Sequence, residues 1–428
     1  MASEPVVVFF PEGAYGPTNN CVGIADALRR RGGRPVFVVE ESFAGTLEAQ
    51  GFEERLMRLG PAPEVEEAPG QFWKDFIRDT APVFRRSTLE QLEGFIAPTW
   101  KALLDGARYV EPRLREIFGE LRPDAIVEDN VPGFAAVVNA DAPWVRIVSC
   151  NPLEMHDPEL PPVFSGYPVA DRSGWEEFRA EYRRTHEPMW REFDEWMGEQ
   201  GCPPLPEMAF IHESPDLNLF LYPEEADYPR SRPLGAGWTR LDSCVRATDA
   251  AYEIPAEIAE GEGRLVYLSL GSLGSADTEL MQRLLDLLGS TPHRYVVSMG
   301  PQHDLLRLAP NQAGAEQVPQ TSVLPQVDLV ITHGGNNTVT ECFHFGRPML
   351  VLPIFWDQHD NATRVAEAGF GERLDTYGFE DSELASAVDR LLGDEALAAR
   401  LATISARLRA NPGTERAAEA ILRVAVRS

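Results

Sequence analysis

Short unbroken apolar runs recur along this chain, separated by longer stretches with apolar residues at helical spacing. Pro5–Phe10, Arg34–Val39, Ala125–Glu128, Trp144–Ser149, Leu265–Leu270, Arg294–Met299, Val327–Ile331 and Met349–Pro353 are such runs. They read as strands covered on both faces, the pattern of a parallel sheet. After the Gly- and Pro-rich loop Pro11–Thr18, Asn19 or Asn20 can cap a helix reaching about Arg31. Further helices are expected at Arg115–Leu121, Gly133–Asn139 and Glu279–Leu288, and the chain closes with Glu380–Leu392, Glu395–Arg409 and Thr414–Val426. Strand and helix alternate in both halves, which predicts two Rossmann-like, doubly wound α/β domains. The acidic, Pro-rich and poorly periodic segment 224–263 reads as their connection, dividing the chain into 1–228 and 229–413. Two aromatic-rich segments, 71–100 and 173–198, interrupt the first half.

The most informative stretch runs from Thr332 to Asn361, THGGNNTVTECFHFGRPMLVLPIFWDQHDN. An apolar strand ends at His333, Gly334 and Gly335 turn the chain, and a helix is expected from Asn336 or Asn337 to Phe345. Gly346 and Pro348 stop it. A second strand follows, with Asp357 and Gln358 in the loop beyond. Polar groups therefore gather where two strands end and one helix begins, the usual ligand position in a doubly wound sheet. The helix start offers unpaired N–H groups and partial positive charge, which suits a diphosphate. A second Gly-Ser turn, Gly271–Ser275, follows the strand Leu265–Leu270.

From His333 through Asn361 the segment resembles the nucleotide-sugar signature of the inverting GT-B glycosyltransferases of family 1. The resemblance implies that His333, Gly335, Asn337, Thr338 and Ser272 hold the donor diphosphate. It assigns Glu341 to the ribose hydroxyls and Asp357 with Gln358 to the sugar. A carboxylate can accept from both ribose hydroxyls, and an Asp-Gln pair can bond adjacent sugar hydroxyls. It also implies that the last helix, 414–428, packs back on the first domain. Two features depart from the pattern. Where the family often has Trp-x-Pro-Gln, this chain has Gln317-Val318-Pro319-Gln320, leaving Val318 and Gln320 near the nucleobase and UDP versus dTDP open. The family's N-terminal loop histidine, which takes the acceptor proton, is missing: there is no histidine between residues 1 and 155, and Tyr15 or Pro17 falls in its place. Asp129, just past Ala125–Glu128, is then the candidate base, and Glu12 the second; the bland alternative has Asp129 merely bonding loop amides. By the same resemblance, Phe72, Trp73, Phe76 and Phe84 would line an apolar acceptor site. The stripe Trp175, Phe178, Tyr182, Met189, Trp190, Phe193 and Trp196 reads first as core packing.

Charge narrows the partners. With 67 acidic against 39 basic residues the chain carries a formal −28, which argues against nucleic acid or an anionic membrane and requires a local positive site for the donor. Five scattered cysteines without CxxC spacing suit free thiols in a cytoplasmic protein. No metal-ligand spacing, P-loop, GxSxG or GxGxxG is present, so neither a metal nor a cofactor beyond the donor is expected. The resulting expectation is a metal-independent inverting transfer of a hexose or deoxyhexose from a UDP- or dTDP-sugar to a hydroxyl of an apolar natural product. The protein would act as a monomer or homodimer. The competing readings are an inactive GT-B auxiliary protein and a nucleotide-sugar epimerase or hydrolase.

Overall fold

The computed structural model describes residues 4–61, 81–247 and 250–426. Strand β1 (Val6–Pro11) starts an all-parallel seven-stranded sheet in the order β3-β2-β1-β4-β5-β6-β7. Its other members are β2 (Arg34–Glu40), β3 (Glu53–Met57), β4 (Ala125–Asp129), β5 (Trp144–Val148), β6 (Leu217–Phe220) and β7 (Trp238–Arg240). Both faces are covered: Val7 and Phe9 join one apolar cluster, Val8 and Phe10 the other, all without exposure. That is why the run is unbroken rather than alternating. The second sheet is also parallel, in the order β10-β9-β8-β11-β12-β13. It consists of β8 (Leu265–Ser269), β9 (Arg294–Ser298), β10 (Gln312–Ala315), β11 (Leu329–Thr332), β12 (Met349–Val351) and β13 (Gly371–Arg373).

The principal helices are α1 (Tyr15–Arg30), α2 (Ala97–Leu121), α3 (Trp175–Glu199), α4 (Thr278–Gly289), α5 (Asn336–Phe345), α6 (Gln358–Glu367), α7 (Asp381–Gly393), α8 (Glu395–Ala410) and α9 (Gly413–Ala425). Helix α9 returns to the first domain. Ala417, Ala418 and Ile421 bury against the cluster that holds Ile24, Ala25 and Leu28 of α1. Glu415 pairs with Arg30 at 2.6 Å and with Arg31 at 3.0 Å on the rim.

Several expectations need correction. Helix α1 begins at Tyr15, within the segment read as a loop, and its N-cap Ala14 makes no side-chain cap. Pro17 sits in the first turn, where a missing N–H leaves no bond unmade, so it did not mark the loop's end. Helix α2 spans 25 residues, of which Arg115–Leu121 is only the last part. Strand β7 pairs with β6 at the edge of the first sheet, so that sheet runs to Arg240, past the expected division at 228. Strands β3, β10 and β13 lie at or next to sheet edges, too short, polar or Gly-containing to carry an apolar signal. The stripe on α3 divides: Trp175, Phe178 and Phe193 are buried, while Tyr182, Met189, Trp190 and Trp196 pack on that core partly exposed. All five cysteines are free.

Candidate active site

The carboxyl ends of the two sheets meet. In the first, Pro11 of β1 lies beside Asp129 of β4, and in the second, Ser269, Thr332 and Val351 lie in register. Asn336, at the start of α5, reaches across: its Nδ2 donates to the carbonyls of Ser149 at 2.8 Å and Leu221 at 3.0 Å. Gly16 of α1 faces Asn337, where an added Cβ would stand 3.8 Å from the asparagine Cβ.

On the C-terminal side, Gly334 adopts φ 89°, and a Cβ there would stand 2.7 Å from Val351 Cγ1. Glycine is thus dictated twice, by conformation and by space. The His333 ring lies against Gly271, where a Cβ would come within 2.8 Å of the imidazole. Burial pulls the His333 pKa down to about 4, opposed by a bond with the Ser269 backbone, so the ring is neutral at pH 7. Ser272 lies in the short helix Gly271–Gly274, directly after β8. Glu341, 1 % exposed, is already engaged. Its Oε1 accepts from Asn337 at 3.0 Å and from Arg246 at 2.8 Å, and its Oε2 accepts from Gln320 at 2.5 Å. Gln320 also donates to Thr338 Oγ1 at 3.2 Å, so the nucleobase-side and diphosphate-side candidates form one network. Val318 is buried beside them in the chain. Arg246, on the connection between domains, was invisible to sequence reasoning because its partner is 95 residues away.

Asp357 and Gln358 are not in a loop: they are the N-cap and first residue of α6. Gln358 Oε1 accepts from the amides of Ile354 at 3.0 Å and Phe355 at 3.2 Å. Asp357 Oδ2 accepts from the Asn151 amide at 2.9 Å, a bond between domains. Asn361 extends the seam, accepting from Asn151 Nδ2 at 2.8 Å and donating to the Gly334 carbonyl at 2.9 Å. Asp360 accepts from the amides of Phe164 and Gly166 at 2.6 and 2.7 Å. The first turn of α6 is thus fastened to the opposite domain.

On the N-terminal side, Asp129 is 3 % exposed at the end of β4. Ser149 Oγ donates to its Oδ1 at 2.7 Å, while Oδ2 is buried without a partner. Burial raises its pKa well above the ordinary range, the Ser149 bond opposes this, and Glu154 and Glu12 add repulsion. Glu12 is raised to about 7 by burial and by Glu154 and Asp357. Asp357 is likewise raised to about 7, chiefly by burial. These acids, drawn from both domains, feel one another. Arg146 offsets part of their charge: it pairs with Glu154 at 2.8 Å and neighbours Glu128 across β4 and β5. Glu128 is fully buried with neither oxygen bonded, and burial raises it to about 8.

Of the expected acceptor wall, Phe84 is the described member. Phe84 is 5 % exposed and packs edge-to-face on Phe95 at 4.9 Å and tilted against Phe355 at 5.0 Å, bridging the domains rather than lining an open groove. Phe72, Trp73 and Phe76 lie outside the described residues. Trp356 extends the bridge, 4.5 Å from Phe164 and 5.8 Å from Trp100. Its φ of 57° is a left-handed conformation that costs a bulky residue about 1–2 kcal/mol. His186 is buried and stacked on Tyr182 at 4.0 Å. Among the described residues no group of three or more His, Cys, Asp or Glu is placed to hold a metal ion, and no helix is long and apolar enough to cross a membrane.

Two parallel Rossmann-like sheets that meet at their carboxyl ends give the chain the GT-B fold of glycosyltransferases. Residues 214–412 match the family described as UDP-glucoronosyl and UDP-glucosyl transferase. The chain is homologous to the oleandomycin glycosyltransferase of Streptomyces antibioticus, 24 % identical over 435 residues, covering 97 % of this chain and 90 % of the relative. Among solved structures it is similar to the glycotransferase of kitacinnamycin, with a TM-score of 0.73, 22 % identity and coverage of 98 % and 99 % of the two chains. It is also similar to the glycosyltransferase VinC in complex with dTDP, at a TM-score of 0.64, 16 % identity and coverage of 99 % and 100 %.

Proposed function

We propose that the protein transfers a hexose or deoxyhexose from a UDP- or dTDP-sugar to a hydroxyl of an apolar natural product, with inversion at the anomeric carbon. One observation carries this reading. Ser149 donates to Asp129, and two residues on, the Asn151 amide donates to Asp357. A single short segment therefore touches both the candidate base and the candidate sugar contact, which supports a proton acceptor close to the sugar end of the donor. The dTDP bound by VinC and the antibiotic named for the Streptomyces relative support the donor and acceptor classes.

In this mechanism the acceptor O–H gives its proton to Asp129 Oδ2 as its oxygen bonds the anomeric carbon. The bond from that carbon to the diphosphate oxygen breaks, and the electron pair leaves on the diphosphate. The N–H groups opening α5, with Asn337, Thr338 and Gly335, receive that charge. Neutral His333 can offer only a hydrogen bond. Glu341 takes the ribose, and Asp357 and Gln358 the sugar hydroxyls. A buried aspartate of raised pKa is a stronger base than a solvated one, though it acts only once deprotonated. Filling the cleft requires the aromatic bridge around Phe84, Phe355 and Trp356 to open, the kind of domain movement that admits substrates and then excludes water.

The test is to incubate the protein with UDP- or dTDP-glucose and a mixed set of polyketides. A hexose mass gain on an acceptor is expected. Sugar release without acceptor would identify a hydrolase, and no change with any acceptor would favour the auxiliary role that the missing histidine suggests.

A further inference from the structure

We infer that Arg246 is a donor-binding residue that exchanges partners, leaving Glu341 for the diphosphate when the nucleotide sugar enters. This rests on the donor-site reading above. Arg246 Nη1 and Asn337 Nδ2 share one acceptor, Glu341 Oε1, at 2.8 and 3.0 Å. Gln320 takes the other oxygen at 2.5 Å. A carboxylate offers about four acceptor positions, and two ribose hydroxyls need two of them, so at least one resident donor must leave. Arg246 is the one with somewhere to go. Its guanidinium lies beside Asn337, at the start of α5, and a bidentate fork suits a phosphate. A cation suits this site: burial holds His333 neutral, and the chain carries a net −28. The backbone of Arg246 is held in place, because a Cβ on Gly23 of α1 would stand 3.3 Å from its Cα. The exchange therefore needs only side-chain rotation, and it turns a contact to Glu341 into a contact that anchors the leaving group.

Calorimetry with uridine, thymidine, UDP and dTDP separates the two ends of the ligand. Arg246→Ala should weaken the diphosphates about tenfold or more, the value of one charge-assisted contact, while leaving the nucleosides within about threefold. Arg246→Lys should recover part of the diphosphate affinity, and Arg246→Gln, which keeps a hydrogen bond to Glu341 without the charge, should not. Equal losses on nucleoside and diphosphate would make Arg246 a prop for Glu341 and overturn the inference. An Arg246→Ala protein that binds UDP and dTDP as wild type does would overturn it as well. Wild-type protein that binds neither diphosphate would overturn the donor-site reading itself.

Discussion

The two domains share one architecture but assemble their halves of the site differently. In the C-terminal domain, His333, Asn337, Thr338, Glu341, Asp357 and Gln358 arrive within one strand–turn–helix–strand unit, Leu329–Gln358. In the N-terminal domain, Glu12, Asp129, Ser149 and Glu154 come from the ends of separate strands and meet only because β1, β4 and β5 lie side by side. A nucleoside diphosphate is a fixed shape that one local unit can hold. An acceptor and its base are met by loops free to diverge, because the sheet beneath them keeps their anchor points in register. The donor half is accordingly specified by local sequence, and the acceptor half by tertiary neighbours.

If that division holds, damage to one half should leave the other working. Asp129→Asn is the sharpest cut. It should lower turnover by about 10²–10⁴-fold while UDP or dTDP affinity stays unchanged; full turnover would remove Asp129 from the chemistry and collapse the distinction. Glu341→Ala does the reverse, weakening nucleoside binding by about 2–3 kcal/mol for two lost charge-assisted bonds, measured by calorimetry. A larger loss for the free diphosphate than for the nucleoside would place Glu341 outside the ribose contact.

Proton linkage gives a third cut. Glu128 and Asp360 are raised to about 8, and Glu12 and Asp357 to about 7, by burial first in every case. Carboxyls with raised native values stabilise the fold below their unfolded values and lose that contribution as pH climbs through the native ones. The melting temperature should therefore fall by several degrees from pH 5 to pH 9. Glu128→Gln should flatten part of the slope, because it removes an acid whose oxygens have no partner. Activity runs the opposite way, rising with pH as Asp129 loses its proton. The smallest expected effect tests the seam. Asn336→Ala removes two bonds to the opposite domain and should cost about 1–2 kcal/mol, read by chemical denaturation. A loss confined to donor binding would mean that Asn336 serves the nucleotide rather than the junction.

Much of this was legible beforehand. The unbroken apolar runs marked eight of the thirteen strands among the described residues, since parallel strands covered on both faces cannot alternate. The short or polar strands β3, β7, β10 and β13 carried no such mark, and neither did β6, only four residues long. The start of α1 escaped because its cap is a backbone conformation at Ala14, with no capping side chain to read. Phe84 carried an aromatic's signature, but whether an aromatic lines a groove or fills it depends on Phe95 and Phe355, which the order of residues does not bring together.

The sequence by itself determined the α/β class, the twofold repetition of a doubly wound domain, and the donor motif, because each follows from residues close along the chain whose spacing matches a strand or helix period. Tertiary structure alone decided that Arg246 occupies Glu341, that Ser149 and Asn151 join Asp129 to the Asp357 side, and that four acids share one buried junction. Those contacts span from 20 to 206 residues. Hydrogen bonds and charge act over a few ångströms of space, so only the folded chain could bring such partners within reach.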